Sequence, residues 1–545
     1  MDKTQILVEG CKIEAHIGAT IMECLVEAGL LLRSDCGGRG RCGKCMVRVA
    51  QGLPSNLSPL DGEEEKRIKS AEQAAGYRLA CRAMVLGPVS LEIPDESRLA
   101  REVVQKGLPM MLPQLESSGP APQAGKSGWG VAVDVGTTTI AVYLCDLAGS
   151  GISGSTSVRN PQSIFGDDVI SRLTVVRQDM GMLTRLRKMA VGAIDWAIRG
   201  LARQAGIEPE SISEIVCVGN SIMLHMLLGE DPCSIGVYPY EPKFSAAMDI
   251  RAATIGLNFG PGCRLRTLPL MSGYLGADIV SAALAADLDH ARPGTMLVDI
   301  GTNGEVILFT EGGFSATSCA TGPAFEGATI RDGMQATSGA IDSIRIDPET
   351  RRLEYSVIQR MSGPPKAPAG ICGSGVISAV AEFLRSGAIR NCGRFEMASG
   401  FPWLKAGEGG IPEAEIVPVE ATGTGRSIAF TQADVRAVQL AKGALQAGIE
   451  LLCAENGISR PSKLLIAGAF GSFINRADAL RIGMFPEMDI DDIEVVGNAA
   501  GAGAVLALMR ENFFEKAQEI AASARVLDLA AHPKFQETFI NALSF

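Results

Sequence analysis

Aromatic residues are scarce in this chain, at 5% of 545 positions, and cationic residues are in deficit, 50 Lys and Arg against 61 Asp and Glu. So few rings leave little for a base-stacking platform. A net charge of −11 argues against nucleic-acid binding, whose affinity rests on clustered Lys and Arg. No uninterrupted apolar run reaches the roughly 18 residues of a transmembrane helix, so no membrane partner is expected. The opening segment, MDKTQILVEG, lacks a basic stretch and an apolar core and does not read as a signal peptide. Of the 14 cysteines, ten stand singly without framework spacing. In a chain this long, that pattern argues for a reducing compartment and against a disulfide scaffold. The expectation is a cytoplasmic, soluble protein of roughly three or four domains, with 46% hydrophobic residues to fill large cores.

The other four cysteines are grouped. Residues 34–45 read SDCGGRGRCGKC: Cys36, five residues, Cys42, two residues, Cys45. Cys81 follows after a further 35 residues. Four thiolates hold an iron–sulfur cluster, and the backbone between them must bend tightly. Gly37, Gly38, Gly40 and Gly43 allow those bends. Arg39, Arg41 and Lys44 set positive charge beside an anionic cluster. A zinc knuckle or buried free thiols are the alternatives, but one lone distant cysteine is not zinc-ribbon pairing. Plant-type ferredoxins have four residues in the first gap; five resembles the adrenodoxin-like branch of [2Fe-2S] ferredoxins. Around this loop, residues 5–8 and 12–15 alternate as a hairpin about Glu9-Gly10. Thr20 caps a helix with Ile21, Leu25 and Ala28 on one face. Strands are predicted at 45–49 and 88–93. This is the element order of a β-grasp ferredoxin, placed at residues 1–94. Cys11 and Cys24 are read as packing residues.

Residues 95–128 change character. A charged, helix-prone piece at 96–106 leads into SSGPAPQAGKSG, the composition of a mobile linker. Such a connector lets a redox module swing between an electron source and an acceptor.

Beyond it, WGVAVDVGTTTIAVYL (129–144) and MLVDIGTNGEVILF (296–309) align without gaps. Each is an apolar strand, an Asp, a Gly-Thr turn and a second strand. Asp134 and Asp299 lie 165 positions apart, so a half-domain is repeated. Backbone N–H groups and Thr hydroxyls of such turns grip phosphate oxygens. The carboxylate can hold Mg²⁺, usually through water. KLLIAGAFGSF (463–473) is an apolar strand ending in Gly468-Ala469-Phe470-Gly471, where a nucleoside can lie against bare backbone. Residues 497–504, GNAAGAGA, start a helix of small residues suited to close helix contact. Val218-Gly219-Asn220-Ser221 with IMLHMLLG reads as its counterpart in the first half.

The order of the Asp134 turn, the Asn220 helix, the Asp299 turn, Gly468–Gly471 and 497–504 resembles the five motifs of the actin–sugar kinase–Hsp70 ATPase superfamily. An N-terminal [2Fe-2S] module linked to such a body is similar to the reductive activators of corrinoid proteins, and the resemblance spans essentially the whole chain. Asn160-Pro161-Gln162, Gly166-Asp167-Asp168-Val169, residues 321–327 (TGPAFEG) and residues 370–375 (GICGSG) also look like that family. The implied fold is multidomain, α+β and α/β: ferredoxin 1–94, linker 95–128, first ATPase lobe 129–292, second lobe 293–545. The implied activity is an ATP-dependent, corrinoid-reducing electron transfer with ATPase activity. It returns the Co(II) corrinoid of a methyltransferase or O-demethylase protein to Co(I). The implied cofactors are a [2Fe-2S] cluster on Cys36, Cys42, Cys45 and Cys81, and ATP with Mg²⁺. Asp134 and Asp299 go to Mg²⁺ or the attacking water. Gly136, Thr137, Thr138, Gly301, Thr302 and Asn303 go to phosphate, and Gly468, Ala469, Phe470 and Gly471 to the nucleoside. The implied partners are a corrinoid protein, an upstream low-potential reductant and a second copy of the chain. A donor to a radical dehydratase and a non-catalytic, nucleotide-binding redox sensor are the competing readings. A plain sugar kinase has no use for a cluster. His225 and Cys372 are read as packed core residues.

Overall fold

A computed structural model describes residues 3–8, 10–28, 30, 32, 40, 43, 45–94, 97, 128–148, 151–166, 168–327, 329–359, 365–423, 425–468 and 474–545. Most of the expected linker, including all of the helix expected at 96–106 except Ser97, lies outside them.

The N-terminal sheet holds β1 (Lys3–Val8), β2 (Cys11–His16), β3 (Met46–Gln51), β4 (Tyr77–Leu79) and β5 (Val89–Glu92), in the order β2-β1-β5-β3-β4. β1 and β2 form the expected hairpin, and β5 runs parallel to β1. Thr20 and Glu23 cap the helix Ile21–Glu27 reciprocally. That helix buries Ile21, Met22 and Leu25 in the core beneath it. Two short helices, Gly62–Arg67 and Ser70–Ala74, and strand β4 were not expected. Asp61 caps the first of these by accepting from Glu63 and Glu64 N–H. Glu64 is buried; its carboxylate pairs with Arg78 at 2.8 Å and accepts from Leu79 N–H at 2.9 Å. Such tertiary satisfaction of a charged side chain leaves no periodic trace in the sequence.

Two six-stranded sheets follow. The first holds β6 (Trp129–Val135), β7 (Thr139–Asp146), β8 (Gly151–Arg159), β9 (Ile212–Val218), β10 (Asp249–Arg251) and β11 (Arg264–Thr267), in the order β10-β11-β9-β6-β7-β8. In the second half come β12 (Thr295–Ile300), β13 (Gly304–Thr310) and β14 (Gly313–Cys319). Two small three-stranded sheets are inserted next: β15 (Ala340–Ile346), β16 (Leu353–Val357) and β17 (Gly370–Ile371), then β18 (Leu404–Ala406), β19 (Pro412–Val417) and β20 (Ile428–Thr431). β21 (Lys463–Ala467), β22 (Ile493–Gly497) and β23 (Arg525–Val526) complete the large sheet, ordered β22-β21-β12-β13-β14-β23. In both lobes three antiparallel strands are joined by two parallel ones in the same sequence of neighbours. The internal repeat is thus a duplicated lobe.

That strand order corrects one expectation. β22 corresponds to β11, so the first-half counterpart of helix Ala499–Met509 is the helix after β11, Ala277–Ala285, and not Ser221–Leu228. The two helices pack tightly. A Cβ on Gly503 would sit 2.0 Å from Ser281 O, and Ser281 Oγ donates to Ala500 O at 2.6 Å. Ala499–Met509 also lies against the first-lobe sheet, so its small residues join the core of both lobes.

Candidate functional site

The cysteine site begins with a ladder. β3 and β4 pair antiparallel, and Cys45 O accepts from Ala80 N–H at 2.9 Å. Cys45 therefore lies across the ladder from Ala80, the residue before Cys81, and both cysteines are buried. Gly40 and Gly43 take φ of +73° and +66°, conformations that side chains resist. Cys36 and Cys42 lie outside the described residues. Two buried cysteines on neighbouring stretches of backbone, with left-handed glycines at 40 and 43, fit a cluster held by thiolates.

The second site is an open cleft between the two repeated turns. It is lined by Asp134, Gly136, Thr137 and Thr138 of one lobe and by Asp299, Gly301, Thr302 and Asn303 of the other. Gly468 closes one side; Ala469, Phe470 and Gly471 lie outside the described residues. Gly468 has φ +100°, and a Cβ there would lie 2.7 Å from Asp299 Oδ1, so only glycine permits this approach.

The first turn is held from behind. Gly136 O accepts from Asn160 Nδ2 at 3.0 Å, Thr137 O from the Arg172 guanidinium at 2.6 Å, and Thr138 O from Asn160 N–H at 2.8 Å. A planar trans peptide whose C=O points back presents its N–H forward. The turn thus offers N–H groups and hydroxyls to the cleft. Arg172, fully buried, also binds Gly166 O and Gln162 Oε1. These contacts give the 160–162 and 166–169 stretches their role as buttresses of that turn. The second turn is held more lightly, by Thr321 Oγ1 donating to Thr302 O at 3.1 Å.

Sequence reading missed three carboxylates that line the cleft: Asp278, Glu305 and Glu326. Glu326 accepts from Thr138 Oγ1 at 2.5 Å and from Thr302 Oγ1 at 3.1 Å, joining the two turns. Asp278, at the start of helix Ala277–Ala285, has its pKa pushed up to about 7, by burial first and then by Asp299 and Asp134. Burial, with Asp278 and Asp299, also pushes Glu305 well up. The signals available were the Gly-Ala-Asp entry into a small-residue helix and, for Glu326, its place in the TGPAFEG stretch. With Asp134 and Asp299 the described lining holds five carboxylates and no Lys, Arg or His. Such a cleft resists a bare anion and suits a phosphate carried with a divalent cation.

His225 and Cys372 are packed, as expected. His225 is fully buried, stacked on Phe244 at 4.2 Å. Its Nδ1 lies 2.7 Å from Ser221 O, and Nε2 accepts from Lys243 N–H at 3.0 Å, which makes the ring a neutral Nδ1–H tautomer. Burial lowers its pKa. The folded state then stays neutral where the unfolded chain protonates, so stability is whole above about pH 6.5 and declines as pH falls below it. Thermal unfolding at pH 7.5 and 5.5 should show a smaller acid-induced drop for His225→Gln; an equal drop in both proteins refutes the assignment. Cys372 is fully buried, its Sγ 3.3 Å from Ile341 O, and burial raises its pKa, which makes it inert.

Three family models match consecutive regions: a 2Fe-2S iron-sulfur cluster binding domain at residues 5–86, the RACo middle region at 129–291, and the C-terminal ASKHA domain of RACo at 294–545. The chain is 30% identical to the corrinoid activation enzyme RamQ of Eubacterium limosum, over 97% of this chain and 96% of that one. It is 26% identical to a Co(II) methylated amine-specific corrinoid protein reductase of Methanosarcina barkeri, over 76% and 77% of the two chains. The solved structure of a reductive activator for corrinoid, iron-sulfur protein superposes with a TM-score of 0.70 at 28% identity, covering 99% of this chain and 98% of that one. With the cysteine ladder and the paired cleft turns in one chain, these likenesses establish that the protein belongs to the family of corrinoid-activating proteins built from a 2Fe-2S domain and an ASKHA ATPase-type body.

Proposed function

We propose that the protein passes one electron from its [2Fe-2S] cluster to the Co(II) corrinoid of a partner protein, forming Co(I), with ATP supplying the missing driving force. One observation carries the coupling: two repeated Asp–Gly–Thr turns face each other across a carboxylate-rich cleft in a chain whose Cys45 is also hydrogen-bonded to Ala80, the residue before Cys81. A cluster near the plant-type value of about −400 mV is too weak a donor for Co(I) formation, and each ~60 mV of shortfall costs a factor of ten in a one-electron equilibrium. Lobe closure on nucleotide is the natural device for coupling that cost to ATP.

In this reading Cys36, Cys42, Cys45 and Cys81 hold the cluster, which supplies the one-electron chemistry. Asp134 and Asp299 hold the cation, and the threonines and N–H groups of both turns hold phosphate. Asp278 and Glu326 position or deprotonate the attacking water. The division of labour follows residues 1–94, a linker at 95–128, and lobes at 129–292 and 293–545. An upstream low-potential reductant recharges the cluster, and the protein works as a cytoplasmic homodimer. Among the described residues no helix is long and apolar enough to cross a membrane.

The test is anaerobic. Pre-reduced protein is mixed with a Co(II) corrinoid protein, with and without Mg-ATP, and the Co(I) absorption band is followed. Co(I) should accumulate only with ATP; equal accumulation without it sinks the coupling.

A further inference from the structure

We infer that the ferredoxin-type domain docks on a seat in the first lobe that is mechanically shared with the first phosphate turn, so that nucleotide binding and docking stabilise one another. The inference rests on the nucleotide reading of the cleft. The seat consists of the long helix Gly181–Ala205 and the turn Pro161–Ile164 with Phe165. Met189 of that helix, 1% exposed, is buried within the hydrophobic core of the ferredoxin-type domain, and Ile164 and Phe165 pack against the same core. One helical turn before Met189, Arg185 reaches across to Glu23 at 3.2 Å. Glu23 is held in place, because its carboxylate also accepts from Thr20 N–H in the helix cap. The Arg185 guanidinium lies over the Phe165 ring at 5.2 Å, tying both parts of the seat together.

The same few residues reach the nucleotide turn. Gln162 Nε2 donates to Leu186 O at 3.0 Å, in the helix that carries Arg185. Gln162 Oε1 accepts from Arg172, whose guanidinium also binds Thr137 O. Asn160, which starts the 161–164 turn, binds Gly136 O and accepts at its side chain from Gln162 N–H. Residues 160–165 are therefore in contact with the phosphate turn on one side and the docked domain on the other. On the domain side, Met22 N–H bonds Ala80 O, next to Cys81, so the docking helix also abuts the cysteine site. A ligand that fixes the 136–138 turn fixes the seat, and a docked domain fixes the turn. By linkage the two effects are equal in size. Loss of phosphate from the turn then frees the domain to carry its electron away.

The experiment uses the full-length holoprotein and a non-hydrolysable Mg-ATP analogue. Amide hydrogen exchange is read in Ile21–Glu27, and analogue affinity is measured by titration. In the native protein the analogue should slow exchange in Ile21–Glu27. Arg185→Glu, which sets two carboxylates together, should remove that protection and weaken the analogue by about 5-fold or more, the lower end of measured couplings. Arg185→Gln should act in the same direction with less effect and Arg185→Lys should behave as native, which separates lost docking from misfolding. Unchanged affinity in Arg185→Glu, or analogue-induced acceleration in Ile21–Glu27, overturns the coupling alone. A native protein that binds no analogue overturns the cleft reading as well.

Discussion

Cys81→Ser is expected to give a protein without the visible absorption of its cluster, unable to form Co(I), yet still binding Mg-ATP. Cluster ligands are thiolates, and a serine hydroxyl does not ionise near neutral pH. The exchange is nearly isosteric at a buried position, so the β3–β4 ladder and the Cys45–Ala80 hydrogen bond should survive. The nucleotide cleft draws on separate cores, those of the two lobes. Electron transfer should therefore fall by at least ~10³-fold, the scale on which loss of an essential reacting group is read, while nucleotide affinity changes little. A normal [2Fe-2S] spectrum in Cys81→Ser would remove that residue from the ligand set.

Removal of Mg²⁺ should have an effect of similar size at the other site. Asp134, Asp278, Asp299, Glu305 and Glu326 converge on a cleft with no cationic side chain in its described lining. A phosphate oxygen brought within about 4 Å of one such carboxylate meets roughly 4 kcal/mol of repulsion at the effective dielectric of a protein surface. A divalent cation between them reverses that sign. Chelation with EDTA should weaken ATP binding by ~10²-fold or more, and Asp299→Asn should lower Mg-ATP hydrolysis by a comparable factor. ATP that binds equally well in EDTA would refute the cation-bridged site. Asp278→Asn tests the interior of the same cluster. An amide there removes a buried carboxyl that is partly charged near pH 7, so the protein should become more stable while hydrolysis falls.

Local pattern carried much of this protein. The spacing of Cys36, Cys42 and Cys45, the Thr20-capped helix and the Asp134 and Asp299 turns are each set by neighbours within a few residues, and the helix and turns appear as read. The repeat could be seen because both copies keep strand, carboxylate and turn in one register. Features made by long-range satisfaction left no such pattern. Glu326 is one acidic residue in a glycine-rich loop until folding brings Thr138 and Thr302 to its two oxygens. Asp278 looks like an ordinary helix N-terminal acid until its helix is driven between the lobes. The mistaken partner for helix Ala499–Met509 has the same origin: two Gly-Asn entries look alike in sequence, and only strand order shows which helix occupies the equivalent place.

By itself the amino-acid sequence determined the cysteine grouping at the front and the paired Asp–Gly–Thr turns behind, because most of each motif is written in particular side chains at short, fixed separations. The tertiary structure alone decided which carboxylates converge on the cleft, which helices cross between the lobes and where the N-terminal domain rests. Those outcomes depend on which distant surfaces bury one another, a choice that burial area and hydrogen-bond satisfaction settle only once the whole chain is folded.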